Sequence, residues 1–257
     1  MKYKTAIILC GGKGTRLGQI GKKLPKSLVK IQNLPIIYYI LKSLKKNSFN
    51  HFILPLGYKG EQIKKYIEKN NFFKNYNIEL INTGKDKPIS ERIEMVKKNI
   101  LSDDFVILNG DAIFNFDLKN IFMRHEKKKN DITFLGCAAP LSYGIVGIAK
   151  NKIVSFERET MFNSIRNEKR KNFNGYIFSG ISILNNKIFQ RNFSRNIDFE
   201  RQFYPKIIKR KNCDFFLIKD NWFSIDSPKD IKMLNQKGHL RKFNSIKKIK
   251  NILKKYN

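Results

Sequence analysis

Cysteine is scarce in this sequence of 257 residues, and the three that occur lie far apart, at Cys10, Cys137 and Cys213. No Cys-X-X-Cys pair is present. This spacing excludes a disulfide framework and a cysteine-rich zinc site, and it is typical of proteins that work in a reducing compartment.

Long hydrophobic runs are also missing. No apolar stretch approaches the length that a membrane-spanning helix needs. The apolar residues near the N-terminus form a run too short for a signal peptide, and no small-residue cleavage site follows them. We therefore expect a cytoplasmic protein that does not insert into a membrane.

Acidic residues are absent from residues 1–60, which contain twelve lysines and arginines, and the whole chain carries a formal net charge of +31. Lysine, asparagine and isoleucine are frequent throughout, so much of this charge reflects general composition. The asymmetry of the first 60 residues is a separate feature. It favours an anionic partner, either a small substrate or a nucleic acid.

Apolar runs alternate with helical patterns over the first half of the chain. The runs KTAIIL, HFILPL, NIELIN and DFVILN are typical of buried strands. Between them, apolar residues recur at helical spacing, as at Ile37, Ile40, Leu41 and Leu44 and at Ile89, Ile93, Val96 and Ile100. This alternation predicts an α/β fold: a Rossmann-like three-layer sandwich with a mostly parallel central sheet. After about residue 130, short strands follow one another closely, which predicts an antiparallel or mixed extension of the sheet.

No internal repeat or flexible linker divides the chain, so we expect one domain over residues 1–238. Residues 239–257 form a basic tail with seven lysines or arginines, no acidic residue, and apolar residues at helical spacing. Such a tail suits contact with a partner subunit, an anionic membrane surface, or a terminal helix docked on the domain. We favour the docked helix.

The segment LCGGKGTRL follows the first predicted strand directly and contains Gly11, Gly12 and Gly14. Glycine-rich backbone at the end of a strand can surround a phosphate with amide groups, and Lys13 and Arg16 add positive charge. A tight turn with two solvent-facing basic residues explains the same segment. The loop has neither the GxxxxGK spacing of a P-loop nor the third glycine of a dinucleotide fingerprint.

The loop and the segments after it resemble sugar nucleotidyltransferases, the enzymes that make nucleotide sugars. The loop is followed by LPKSLVKIQNLPIIYYIL, and Arg16 and Lys26 keep the ten-residue spacing of that family's basic pair. Further matching segments come in order: LGYKGEQIKKYI, LNGDAIF, NGYIFSGISIL and WFSIDSPKDI. The resemblance covers residues 4–236, nearly the whole chain except the tail.

The resemblance implies transfer of a nucleotidyl group from a nucleoside triphosphate to a sugar 1-phosphate, with release of pyrophosphate. It implies Arg16, Lys26 and Asp111 as catalytic residues, with Arg16 on the leaving pyrophosphate and Lys26 on the α-phosphate and the sugar phosphate. It implies Asp111 and Asp226 as ligands of Mg²⁺, a hard ion that takes carboxylate and phosphate oxygens. The implied nucleotide-binding residues are Leu9, Gly11, Gly12, Gly14, Thr15, Thr83, Arg92 and Gly110.

Each charged residue of this set also has a purely structural explanation. Asp111 can begin the turn after its strand, Asp226 can help to cap the helix predicted from Ser227, and Arg16 and Lys26 can be solvated charges. Their joint occurrence favours function, because open sheets bind ligands at the carboxyl ends of their strands.

Residues for the sugar phosphate come from the second half of the chain. The resemblance implies a set of six: Gly144, Arg158, Asn174, Gly175, Glu200 and Trp222. Trp222, the only tryptophan, can wall the sugar or belong to the core. The family's Glu-Lys-Pro is replaced here by Arg158-Glu159-Thr160, so an arginine at a shifted position takes the place of the missing lysine.

The segment INTGKDKPISERIEMVKK resembles the part of glucose-1-phosphate cytidylyltransferases in which a Thr-Gly pair precedes a helical arginine. Thr83, Gly84 and Arg92 occupy those places, although the Thr-Gly-Gly before the arginine is Ile89-Ser90-Glu91 here. The PLGTGG stretch typical of several guanylyl and uridylyl relatives is absent. We therefore favour CTP and glucose 1-phosphate as substrates, for lipopolysaccharide or other surface-polysaccharide synthesis. The alternative is a guanylyl- or uridylyltransferase for mannose or heptose 1-phosphate.

Two other classes of protein compete with this interpretation. A basic nucleic-acid-binding protein explains the net charge but not the paired aspartates or the glycine loop, and the sequence has no obvious recognition module. An inactive, nucleotide-binding scaffold is suggested by the lost Glu-Lys-Pro. We expect a nucleoside triphosphate and a sugar 1-phosphate as partners rather than nucleic acid, Mg²⁺ as cofactor, and a homo-oligomer.

Overall fold

The computed structural model describes residues 2–140, 145–149, 152–157, 161–162, 164–166, 174–210, 212–218 and 222–235. The predicted basic tail lies outside the described residues. The strands are β1 (Thr5–Leu9), β2 (Lys30–Ile31), β3 (Leu34–Pro35), β4 (His51–Leu56), β5 (Ile78–Asn82), β6 (Asp104–Asn109), β7 (Ala112–Phe114), β8 (Ile132–Cys137), β9 (Ala139–Pro140), β10 (Ile145–Ala149), β11 (Lys152–Glu157), β12 (Met161–Phe162), β13 (Ser164–Arg166), β14 (Asn174–Asn185), β15 (Cys213–Ile218) and β16 (Trp222–Ser224).

Helices of three kinds connect these strands. The α-helices are α1 (Gln19–Lys23), α2 (Ile36–Lys46), α3 (Gly60–Lys69), α4 (Ile89–Val96), α5 (Leu118–Lys128), α6 (Asn186–Asn192), α7 (Tyr204–Ile208) and α8 (Pro228–Asn235). The remaining turns are a π-helical one at Phe199–Phe203 and 3-10 turns at Thr15–Leu17, Lys26–Leu28, Asn71–Phe73 and Lys97–Asn99. No helix in the described part of the chain is long and apolar enough to cross a membrane.

The central sheet has the strand order β15-β8-β14-β6-β1-β4-β5, and β13 also pairs with β14. Strand β1 runs parallel to β4 and β6, β4 to β5, and β8 to β15. Strand β14 alone on this path runs antiparallel to its neighbours, β6 and β8. The predicted mostly parallel sheet with a mixed extension is therefore confirmed, while β10 and β11 form a separate antiparallel hairpin.

Side chains alternate along the strands and supply two cores, one on each face of the sheet. On β1, Ala6 and Ile8 belong to one core and Ile7 to the other. Helices α2, α3, α5 and α8 cover the first core, and α4, α6 and α7 cover the second. This is the three-layer arrangement that the sequence predicted.

The helical periodicities were confirmed for α2 and only in part for α4. The four residues predicted to share one face of α2, Ile37, Ile40, Leu41 and Leu44, are all fully buried. On α4, by contrast, Ile89 is 48% exposed. The chain leaves α4 at Val96 through a 3-10 turn, so the predicted apolar stripe does not continue along one helix face.

A close approach of two strands prepares the site at the carboxyl end of β6. The pairing of β14 with β8 shifts register between Phe178 and Ser182. Gly180 lies in this irregularity with a φ of 75°, a backbone conformation that favours glycine. A Cβ at Gly180 would lie 2.6 Å from Nδ2 of Asn109, so glycine also makes room for the last residue of β6.

Candidate active site

A short pairing of distant segments brings two aspartates together. Strand β7 begins directly after Asp111 and pairs antiparallel with β16, which ends at Ser224. The backbone amide of Ile225 then donates to the carbonyl of Asp111 at 3.0 Å. The pairing therefore brings Asp226, which lies just after the end of β16, close to Asp111, which directly precedes β7.

Lys26 lies between these two carboxylates. Its ammonium is 2.7 Å from Oδ2 of Asp111 and 3.0 Å from Oδ1 of Asp226. Pro25 and the buried Ser27 flank it, and the 3-10 turn at this point fixes the backbone from which the side chain extends. Arg16 completes the group with an Nη2–Oδ1 distance of 3.0 Å to Asp226.

The contacts of Asp226 with Lys26 and Arg16 affect its ionisation. Burial acts to raise the pKa of this carboxyl, but hydrogen bonds from Ser224 and Lys26 and the charges of Lys26 and Arg16 outweigh it. The pKa of Asp226 is therefore below its ordinary value, and the group is a carboxylate at neutral pH.

Helix α8 holds the segment that carries Asp226. The carboxylate of Asp230 accepts from the backbone amides of Asp226 at 2.9 Å and Ser227 at 2.7 Å. The hydroxyl of Ser227 accepts in return from the Asp230 amide at 3.3 Å. This capping box, with Pro228 at the helix start, begins the helix that the sequence predicted from Ser227.

The glycine loop borders a cleft of about 320 Å³ at the carboxyl ends of β1 and β6. Gly14 has a φ of 61°, and its carbonyl accepts from the amide of Leu17 at 3.0 Å. Gly12 is exposed, and a Cβ there would meet nothing within 4 Å. The cleft is lined by Leu9, Cys10, Gly12, Gly14, Thr15, Arg16, Leu17, Lys26, Ser27, Ile89, Asn109, Gly110 and Asp111.

A second cleft, of about 400 Å³, adjoins the first. Its walls are Arg16, Asn109, Asp111, the β14 residues 177–180, Trp222, Ser224, Asp226, Ser227 and Asp230. Arg16, Asn109 and Asp111 line both clefts. Two spaces, one beside the glycine loop and one beside Trp222, therefore meet at the group of charged residues.

Arg92 is buried beneath the glycine loop rather than exposed in the cleft. It is only 5% exposed, and its guanidinium donates to Oγ1 of Thr83 at 2.8 Å, the carbonyl of Gly84 at 2.7 Å and the carbonyl of Lys85 at 3.0 Å. A Cβ at Gly11 would lie 2.7 Å from this guanidinium. Burial lowers the pKa of Arg92 from its ordinary value. The structure thus joins the predicted residues Thr83, Gly84 and Arg92 to the glycine loop.

Comparison with known proteins decides the family. Residues 5–238 match the sequence model of the family described as nucleotidyl transferase. This chain belongs to that family. It is 30% identical to a D-glycero-α-D-manno-heptose 1-phosphate guanylyltransferase of Aneurinibacillus thermoaerophilus, over 88% of the chain and 95% of the relative.

A second relative is named for the same class of reaction, and a solved structure matches most of this chain. A probable glucose-1-phosphate cytidylyltransferase of Bacillus subtilis (strain 168) is 27% identical, over 90% of the chain and 94% of that protein. The structure of HddC from Yersinia pseudotuberculosis, complexed with GMP-PN, has a TM-score of 0.65 and 25% identity, and the match covers 89% of this chain and 96% of HddC. The chain is therefore a sugar-1-phosphate nucleotidyltransferase, and its relatives differ in base and sugar.

Of the residues predicted for the sugar side of this nucleotidyltransferase, the structure brings Trp222 but not Glu200 to the clefts. Glu200 is exposed on the π-helical turn and lines neither cleft. Asn174 and Gly175 begin β14, where they pair with β13. Gly144 and Arg158 lie outside the described residues. Trp222 does line the second cleft, and it also packs against the core.

Sequence reasoning missed several residues that line the clefts. Asn109 ends the predicted strand DFVILN, so its position at a strand end was the available signal. Ser179 and Gly180 enter the second cleft only because β14 is irregular there, and no local pattern indicates this.

The carboxylate pair fits a Mg²⁺ site of the kind that this family generally uses. Two carboxylates from separate segments converge on one ammonium, and hard carboxylate oxygens are the ligands that Mg²⁺ prefers. The described residues contain no group of three or more acidic, histidine or cysteine side chains that could hold a metal ion. Phosphate oxygens and water would therefore have to complete the coordination of an ion at this pair.

Proposed function

We propose that this nucleotidyltransferase transfers the cytidylyl group of CTP to glucose 1-phosphate, with Mg²⁺, where the two clefts meet. The observation that carries the proposal is the meeting of Arg16, Lys26, Asp111 and Asp226 between a glycine-lined cleft and a second cleft walled by Trp222. Two anionic reactants need a place where both can be held and neutralised, and this arrangement supplies one.

The roles of the residues follow from the bonds that change. An oxygen of the sugar 1-phosphate attacks the α-phosphorus, a new O–P bond forms, and the bond to the oxygen that bridges to the β-phosphate breaks. Pyrophosphate leaves with the electron pair of that bond. The amides of the glycine loop, from Gly11 to Gly14, would hold the triphosphate, Arg16 the departing pyrophosphate, and Lys26 both the α-phosphate and the sugar phosphate.

Asp111 and Asp226 would hold the Mg²⁺. When bound, the ion supplies positive charge that offsets the charge of the triphosphate. Both carboxylates line the second cleft, and Ser224 donates to Asp226. The sugar would occupy the second cleft against Trp222 and the β14 backbone near Ser179 and Gly180.

CTP is favoured by the Thr83–Gly84–Arg92 arrangement. Arg92 fixes the carbonyls of Gly84 and Lys85 beside the glycine loop, so the loop after β5 is held in one conformation next to the cleft. The Thr-Gly pair and its arginine are the features that resemble cytidylyltransferases, and the nucleotide sugar product would serve surface-polysaccharide synthesis.

GTP with a heptose 1-phosphate is the second candidate substrate pair. A relative named for that activity is 31% identical to this chain, in Campylobacter jejuni subsp. jejuni serotype O:2 (strain ATCC 700819 / NCTC 11168), over 88% of the chain. The HddC structure complexed with GMP-PN also matches this chain over most of its length.

A substrate matrix tests the proposal. The full chain is incubated with each of CTP, GTP, UTP, ATP and dTTP against glucose, mannose and heptose 1-phosphates, and pyrophosphate release is measured with and without Mg²⁺. We expect the highest kcat/KM for CTP with glucose 1-phosphate. A preference for GTP with heptose 1-phosphate selects the second candidate, and no release with any pair contradicts the transferase proposal.

Two variants test the residues in the same assay. Replacing Asp111 or Asp226 by asparagine keeps the size of the side chain and removes one charge, so each variant should lose about 100- to 1,000-fold in kcat. The double variant should lose little more, because both residues act on one ion. Asp103→Asn is the control, because Asp103 is an exposed residue paired with Lys2 and lines neither cleft.

A further inference from the structure

The ammonium of Lys26 lies where a divalent cation shared by Asp111 and Asp226 would have to bind. It contacts one oxygen of each carboxylate, at 2.7 and 3.0 Å, and its side chain is only 14% exposed. The second oxygen of Asp226 accepts from Ser224. An ion that bridges the two aspartates therefore needs at least one oxygen, on Asp226, that Lys26 or Ser224 already contacts.

The charges of the group balance without any metal. Lys26 and Arg16 contribute two positive charges, and Asp111 and Asp226 two negative charges. A neutral group attracts a divalent cation weakly. Mg²⁺ also gives up its water reluctantly, so it needs a strong field of negative charge to bind. The ligand-free group provides little of that field.

A triphosphate changes this balance. In the proposed function its negative charges would lie in the adjoining cleft, which Lys26 also lines, and would compete with the aspartates for the ammonium. Lysine carries its charge on a flexible four-carbon stem, so the ammonium can move while the backbone stays fixed. The backbone of Lys26 belongs to a 3-10 turn whose next residues, Ser27 and Leu28, are buried.

We propose that Lys26 blocks the Asp111–Asp226 pair against divalent cations until a nucleoside triphosphate draws its ammonium away. Metal and nucleotide binding are then positively coupled, and the coupling is reciprocal. This inference rests on the proposed function in two respects: that the metal site is this carboxylate pair and that the triphosphate binds in the adjoining cleft. It adds that the pair is closed in the ligand-free protein and that Lys26 is the residue that closes it.

The test uses Mn²⁺ as the probe and contains neither nucleotide nor sugar phosphate. Free Mn²⁺ is measured by electron paramagnetic resonance while it is titrated into the full chain. Lys26→Met removes the charge and keeps an unbranched side chain of similar length, so it should bind Mn²⁺ about tenfold more tightly than the wild type, within the usual range for coupled sites. Lys26→Gln, which is also uncharged, repeats the test if the methionine variant fails to fold.

Two matched variants separate the position of the ammonium from net charge. Arg16→Met removes a cation that is 74% exposed, so water already screens it, and the gain in Mn²⁺ affinity should be smaller. Lys13→Met removes a loop cation that pairs instead with Asp86 at 2.8 Å, and Mn²⁺ affinity should not change. Combining Lys26→Met with Asp226→Asn should abolish the gain.

Unchanged Mn²⁺ affinity in both Lys26 variants overturns the inference, and so does an equal gain in Lys13→Met. A gain that survives Asp226→Asn also overturns it, because the ion then binds elsewhere. These results are distinct from failure of the proposed function, because the titrations involve no turnover. A wild-type enzyme that releases pyrophosphate can still show no effect of Lys26, and then only this inference is withdrawn.

Discussion

At the scale of single residues, glycines near the site serve opposite purposes. Gly57 follows β4, and a Cβ there would overlap the guanidinium of Arg92, as would one at Gly11. These glycines make room for a buried arginine that ties three backbone carbonyls together. Gly12 leaves open space instead, so that a ligand can approach the backbone.

Alanine substitutions at Gly57 and Gly12 should therefore have different effects, one on stability and one on substrate binding. Gly57→Ala should destabilise the fold by about 1–3 kcal/mol, because the methyl group overpacks the buried guanidinium. Gly12→Ala should leave the unfolding free energy nearly unchanged, while the KM for the triphosphate rises because the methyl group stands in the cleft. Urea unfolding and initial-rate kinetics of both variants make the measurement.

Arg92→Ala provides the internal control for Gly57→Ala. With the guanidinium gone, the added methyl group has space, so the double variant should be less destabilised than the sum of the two single variants. Strict additivity would show that Gly57 and Arg92 do not interact in solution.

The sequence predicted which charged residues would act together but not how Arg92 would be placed. Arg16, Lys26, Asp111 and Asp226 meet as the family spacing indicated. The burial of Arg92 depends on the approach of three segments, the glycine loop, the end of β4 and the loop after β5. No local sequence pattern encodes that approach, so the sequence around a helical arginine does not indicate whether its side chain is buried or exposed.

At the scale of elements, β15 lies at the edge of the sheet and is joined to α5 by one carboxylate. Asp214 of β15 contacts Arg124 and Lys128 of α5, each at 3.0 Å. Burial acts to raise the pKa of Asp214, but the hydrogen bonds from Lys128 and the Phe215 amide, with the charge of Arg124, outweigh it. The pKa of Asp214 is therefore below its ordinary value of 3.8.

This shift gives the contact a pH dependence of known sign. A carboxyl whose pKa is lowered by folding stabilises the fold above its unfolded pKa and loses that effect as the pH falls through the folded pKa. Asp214→Asn should therefore cost at most about 1 kcal/mol at neutral pH, because both cations are half-exposed and screened by water. The difference from wild type should shrink as the pH falls below about 4.

Urea unfolding at a series of pH values measures this difference. Asp103→Asn is the matched control, because Asp103 and its partner Lys2 are 72% and 67% exposed and 3.4 Å apart. It should change stability little at any pH. A pH-independent effect of Asp214→Asn would mean that the side chain contributes packing rather than charge.

The elements that the sequence could predict are the ones with long, regular patterns. Strands β1, β4, β5 and β6 and helix α2 have such patterns and were found. Strands β7 and β16, which bring the two aspartates together, have only three residues each. A pairing of three residues across more than a hundred positions carries no periodic signal, and only the resemblance to a family indicated that Asp226 would reach Asp111.

At the scale of the whole molecule, the strand topology forms the two clefts, and the basic N-terminal residues lie in the segments that build one of them. The parallel strands β1 and β6 end together at the glycine loop, and β14 and β16 border the second cleft beside it. The N-terminal 60 residues, which build that loop and α1, hold twelve basic residues and no acid. An excess of basic residues in the segments around a cleft attracts anionic substrates from a distance.

The last prediction concerns this long-range attraction. Lys22 and Lys23 are exposed on α1, which packs against the glycine loop through Gly21 and Gly14. Replacing both by glutamine should lower kcat/KM for the triphosphate about three- to tenfold at low salt, because the local potential falls. Added salt lowers kcat/KM of the wild type by screening the same charges, so the difference between the two proteins should shrink as ionic strength rises.

The control variant makes the same change of charge on the opposite face of the sheet. Lys206 and Lys209 are exposed at α7, which covers the second core, and neither lines a cleft. Replacing both by glutamine lowers the net charge equally but on the other face of the sheet, and at 0.1 M salt the Debye length of about 10 Å limits how far an exposed charge acts. Initial rates over a range of NaCl concentrations compare the two pairs. Equal losses in both would mean that total charge, rather than the charge placed around the glycine loop, governs the encounter with the triphosphate.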